Sequence, residues 1–260
     1  MVVAPLSIGG FVGIVLSGAF VYWEVGRFAA PQVPVTLFDE RRELFAYTAG
    51  LFVGVPLAVV YLLYVTSFSN GALPGALIFL AFLVGGCEGA QVFFLRTKYW
   101  GSGDGRPFYA LGFRAAIGGI LSLAIVASYL SGPTLSAVGL IVALAQSFAV
   151  VALGVACALL SLRMPPRVGR PSGGPLAGLL LGAVGFFLLG LGSVAGPYGA
   201  VGAAVVAFLG AGLAYSRERA MLSDVRPPPE GSLRRGGELP SSYGRTDRSG
   251  SDPLPEGRDR

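Results

Sequence analysis

Apolar residues come in seven long runs separated by short polar connections, roughly Leu6 to Val25, Phe45 to Thr66, Leu73 to Leu95, Phe108 to Leu130, Ser136 to Leu162, Pro175 to Val194 and Tyr198 to Ser216. A helix rises about 1.5 Å per residue and needs about 20 residues to cross a ~30 Å hydrocarbon core, which is the length of these runs. None shows the strict alternation of a barrel strand, and backbone groups in lipid must be satisfied within their own segment. The pattern therefore predicts an all-α polytopic membrane protein, with seven transmembrane helices in one bundle. The fifth run is long enough to tilt or to extend past the bilayer.

The connections alternate between Arg-bearing and charge-free. Arg27, Arg41 and Arg42 fall in the first, Arg96, Lys98 and Arg106 in the third, and Arg163, Arg167 and Arg170 in the fifth. Residues 67–72, 131–135 and 195–197 hold no charge. Basic residues in short loops are retained on the cytoplasmic side, so the expected topology has the N-terminus outside and the C-terminus in the cytoplasm of a multi-pass cell-membrane protein. The first run has no basic residue ahead of it and no small-residue cleavage site before Tyr22, Trp23 and Glu24, and reads as a retained helix rather than a signal peptide.

Two domains follow: residues 1–216 as the membrane bundle and residues 217–260 as a cytoplasmic tail. The tail, rich in Pro, Gly and Arg, is expected to be mostly disordered because it has too little apolar surface to form a core. Arg217 to Arg226 reads as an extension of the last helix that Pro227 stops. In the first connection Pro31 and Pro34 impose an extended stretch. Thr36 to Glu43 then reads as an amphipathic elbow at the interface, leading into the second helix.

Composition agrees with this class and narrows the chemistry. The chain is 53% hydrophobic and only 13% charged, with a mean hydropathy of +0.69. Its net charge of +5 follows the topology and does not imply nucleic-acid binding. The expected partners are the lipid bilayer and other membrane proteins. There is no histidine, and the only two cysteines, Cys87 and Cys157, fall inside apolar runs. That removes the usual zinc, haem and Ser-His chemistries, so neither a metal nor a cofactor is expected. The cysteines read as small core residues at different depths, without a disulfide.

Glycines four apart (Gly9/Gly13, Gly50/Gly54, Gly85/Gly89, Gly178/Gly182, Gly192/Gly196) allow close helix packing where lipid supplies no hydrophobic drive. The turn at Gly196 and Pro197 predicts a tight hairpin between the last two helices. Charged residues within the runs are costly unless paired or hydrated, and three stand out: Glu24, Glu88 and Arg114. Glu24 can reach the interface. Glu88 lies about seven residues from the end of the third run and Arg114 about six into the fourth, which puts both ~10 Å deep on antiparallel neighbours and predicts that they pair. Gln91, one turn from Glu88, and Gln146 in the fifth run are candidates to extend the polar set. The set reads either as an ion pair that fixes helix register or as a polar cavity for a solute or proton.

Three resemblances can be tested on residues. Seven spans with this facing are similar to the microbial rhodopsins, but a retinal Schiff base needs a lysine in the last helix, which has none. The topology also resembles sugar transporters of the three-plus-one-plus-three type. Their helices carry a Pro-Gln pair, whereas Pro31-Gln32 falls in a loop here and has no counterpart in the fifth run. Gly101-Ser102-Gly103-Asp104 resembles the GxGD signature of membrane aspartyl proteases, which implies Asp104 and, on the same side, Asp39 as paired carboxylates activating water. Gly105-Arg106-Pro107 follows where those proteases carry an apolar helical segment, and the bland reading is a Gly-rich turn.

The leading functional reading is a non-enzymatic membrane scaffold or partner subunit without a catalytic centre. A small-solute transporter using Glu88, Arg114, Gln91 and Gln146 is the alternative, and a GxGD-type protease is the third.

Overall fold

A computed structural model describes residues 3–28, 40–97, 105–130, 137–162 and 173–218. All of these residues belong to one compact unit, Met1–Arg226, and they form seven helices: α1 (Val3–Phe28), α2 (Glu40–Ser69), α3 (Leu73–Arg96), α4 (Arg106–Leu130), α5 (Ala137–Leu162), α6 (Gly173–Val194) and α7 (Gly196–Glu218). Six of them are long and apolar enough to cross a bilayer; in α1 the apolar stretch Ser7–Trp23 is shorter. Large apolar side chains such as Phe11, Phe52, Phe82, Phe93 and Leu213 point outward, as they do on a bundle solvated by lipid.

Sequence chemistry sets the helix boundaries. Between α2 and α3, the Gly71 amide donates to Phe68 O (3.1 Å) and the Ala72 amide to Ser67 O (2.9 Å). This is a Schellman closure, and it needs the left-handed φ of +73° that Gly71 adopts. Pro74 then occupies the first turn of α3, where a missing N–H costs nothing. Gly196 (φ +81°) turns the chain from α6 into α7, and Gly192 packs against Gly199, Ala200 and Ala203, so the last two helices form the expected hairpin. α2 begins at Glu40, within the stretch read from sequence as an elbow, because Glu40 to Leu44 carries on as regular helix.

The bundle is organised around α4, the most enclosed helix, which packs against α1, α2 and α5. α5 in turn packs against α6 and α7, while α3 lies between α2 and α6. Glycines permit the closest approaches. Gly9 and Gly13 of α1 sit on the backbone of α4 at Leu123 and Gly119, Ser17 fills the next position of that stripe against Gly119, and Gly50 and Gly54 of α2 sit on Phe113 and Ile120. Ser17 Oγ also lies 2.8 Å from the Tyr47 hydroxyl and so ties α1 to α2. Gly85 and Gly89 depart from the expected role: nothing lies within 4 Å of where their side chains would be, so this pair faces outward.

Consecutive helices are not always close neighbours. α3 and α4 meet chiefly near the ends joined by their connection, where the rings of Phe94 and Phe113 stack with centroids 4.5 Å apart. That end, where α2 and α4 begin and α3 and α5 finish, is termed the Arg end.

Candidate functional site

Near the Arg end, α3, α4, α5 and α6 enclose a polar cluster. Arg114 of α4 reaches across to Glu88 of α3, its Nη2 donating to Glu88 Oε1 in a buried ion pair. Ser161 of α5 lies 2.7 Å from the other carboxylate oxygen, Oε2, and 2.8 Å from Cys157 O. A hydroxyl has one proton, so Ser161 serves one of these acceptors at a time. Both Glu88 oxygens thus have a donor within reach, which a buried charge requires if its desolvation is to be offset. Gly178 of α6 closes the site: a methyl group there would overlap Ser161 Oγ and crowd Glu88 Oε1, so only glycine lets α6 lie over the pair.

Gln91 lies one turn nearer the Arg end than Glu88 and does not touch the pair. Its Nε2 donates to Ala158 O of α5 at 3.2 Å, while Oε1 has no partner. Gln146 does not join the set. It is buried but hydrogen-bonds Tyr129, at the other end of α4, because it lies fifteen residues, or about 22 Å of helix, before Ser161. Depth arithmetic along α5 was enough to separate it from Glu88. The same arithmetic could have found Ser161, a polar residue near the finish of α5 at the level of the pair.

The two cysteines converge, against the expectation that they lie at different depths. Cys87 and Cys157 both line a cavity of about 20 Å³ together with Arg114, Val84, Leu153 and Phe186, and Cys87 hydrogen-bonds Arg114. Counted from the Arg end, the two thiols are only about nine and five residues in, which accounts for their meeting. Both are free thiols. The cavity has room for about one water molecule, and apart from Arg114 and the thiols its lining is apolar. Arg114 Nε has no protein partner.

Glu43 is a second residue that sequence reading missed. Assigned there to an interfacial elbow, it is instead buried at 6% exposure on the first turns of α2. Its carboxyl rests against Gly112 of α4, where any side chain would overlap it, and neither of its oxygens has a hydrogen-bond partner. As one more charged residue after Asp39, Glu40, Arg41 and Arg42, it gave no signal of which way it turns.

Among the described residues no group of three or more acidic or sulfur ligands could hold a metal ion. Asp39, Asp104 and the Gly101–Gly103 turn, on which the protease resemblance rests, lie outside the described residues, as does Pro31-Gln32. Compared with protein-family models, curated proteins and solved structures, the chain matches none of them.

Proposed function

We propose that this protein is a seven-span component of the cell membrane, N-terminus outside and C-terminus in the cytoplasm, that acts without catalysis as a scaffold or partner subunit. The Glu88–Arg114 pair is its internal pin, joining two helices that otherwise meet mainly near their shared connection. The observation that carries this reading is the closure of the pair. Both carboxylate oxygens have donors, Gly178 seals the site from α6, and the neighbouring cavity has room for about one water, far less than a solute needs.

Thermal unfolding in detergent of Glu88→Gln, Arg114→Gln and the double variant tests the pin. Each single change leaves a buried partner uncompensated and should be strongly destabilising, with the double variant largely restored. Singles as stable as the wild type would mean that water or a ligand already attends the charges. That result would favour the transport reading, in which a small solute occupies an enlarged form of the Arg114 cavity.

Orientation has its own test. Reporter domains fused after Asn70, Ser131 and Ala195 should report the outside, and one fused after Ser232 the cytoplasm. The reverse pattern would overturn the topology.

A further inference from the structure

Glu43 and Glu88 approach α4 at nearly one level, since Gly112 and Arg114 are two residues, or about 3 Å of rise, apart. They do so from opposite faces, because two residues turn a helix by about 200°. Arg114 therefore serves Glu88 and does not reach Glu43. The charged and titratable groups towards the Arg end of the elements around Glu43 are Glu40, Arg41, Arg42 and Tyr47 on α2 itself, Arg106 and Tyr109 on α4, Arg96 on α3, and Tyr22, Glu24 and Arg27 on α1; the first turns of α6 carry none. Neither Glu43 oxygen has a hydrogen-bond partner, and among the described residues no ionic partner offsets the burial of the group.

The pocket is built to fit. Gly112 lets the carboxyl lie flush on the α4 backbone, and Gly50, two turns along α2, brings that helix onto Phe113 O, so the interface closes over the group. A carboxylate stripped of water, with no donor and no cation, is far costlier to bury than the neutral acid in the same place.

We propose that Glu43 is a proton-binding site. In the closed bundle it holds a proton taken from the aqueous phase at the Arg end, and it returns that proton to water when α2 lifts from Gly112. Closing of the α2–α4 interface is thereby coupled to uptake of one proton, a property that the scaffold reading neither needs nor supplies. The sign follows from linkage. The folded chain binds a proton that the unfolded chain releases near neutral pH, so this contribution to stability falls as pH rises, by up to about tenfold in the folding equilibrium per pH unit.

The test is infrared spectroscopy of the full chain in detergent micelles during a pH titration, alongside thermal unfolding over the same range. At neutral pH the wild type should show a protonated-carboxyl C=O band that disappears on alkalinisation and is missing from Glu43→Gln. The wild-type unfolding midpoint should fall with rising pH where that of Glu43→Gln stays level. A wild type without such a band, or a band unchanged in Glu43→Gln, would overturn the proposal. Should Glu43→Gln fail to fold, Gly112→Ala replaces it: forcing the carboxyl off the α4 backbone towards water should make the band titrate at lower pH, and an unmoved titration would count against the site.

Discussion

The two carboxyl groups that flank α4 began with the same chemistry and met opposite surroundings. Glu88 was given a guanidinium, a hydroxyl and a glycine lid; Glu43 was given a glycine and, among the described residues, no donor. Burial alone therefore does not decide what an acidic side chain does in a membrane bundle. The first carboxyl holds two helices together through its charge, and the second can stay buried only by giving its charge up. Which outcome a carboxyl meets depends on the face of α4 it reaches, and Arg114 occupies one face only.

Four substitutions break or sharpen that contrast. The largest effect is expected at the paired group: Glu88→Gln should cost about 3 kcal/mol or more in unfolding experiments, because Arg114 is left as an uncompensated buried charge, and adding Arg114→Gln should recover most of the loss. Next is Gly112→Ala, whose methyl group competes with the Glu43 carboxyl for one space. A loss of about 1–3 kcal/mol is expected, shrinking when Glu43→Ala is combined with it; additive losses would show that the two residues do not share that space. Ser161→Ala removes one donor from Glu88 Oε2 and leaves Arg114 in place, so thermal unfolding should report a smaller loss of about 1 kcal/mol. The smallest effect is expected from Glu43→Met, which exchanges an unpartnered polar end for an apolar one and should lie within about 1 kcal/mol of wild type or above it at neutral pH. A large loss there would show that the carboxyl has bonding partners and would erase the difference from Glu88.

The helices were legible in the sequence because apolar length is a one-dimensional property. All seven appear, with ends that differ by a few residues where polar helix formers extend them, as at Glu40 to Leu44 of α2. The meeting of Glu88 and Arg114 was legible for a related reason, since depth can be counted along a helix and antiparallel neighbours match at equal counts. What could not be counted was rotation. Whether Gly85 and Gly89 face a neighbour or lipid, and whether Glu43 turns into α4 or onto the surface, depends on the angle of each helix about its own axis. Helices apolar on nearly every side carry little signal of that angle. Depth alone put Ser161 and both cysteines at the level of the pair, but which helices distant in sequence lie side by side was hidden, so their contacts emerged only with the packing of α5 against its neighbours.

The central position of α4 has a consequence for how the chain is made. A helix that carries an arginine and ends up surrounded by other helices is poorly suited to lipid on its own during synthesis. Glu88 precedes Arg114 by 26 residues, so its neutralising partner has already left the ribosome when α4 emerges. α3 and α4 can therefore enter the membrane as one charge-balanced hairpin, and the order of residues along the chain doubles as an order of assembly.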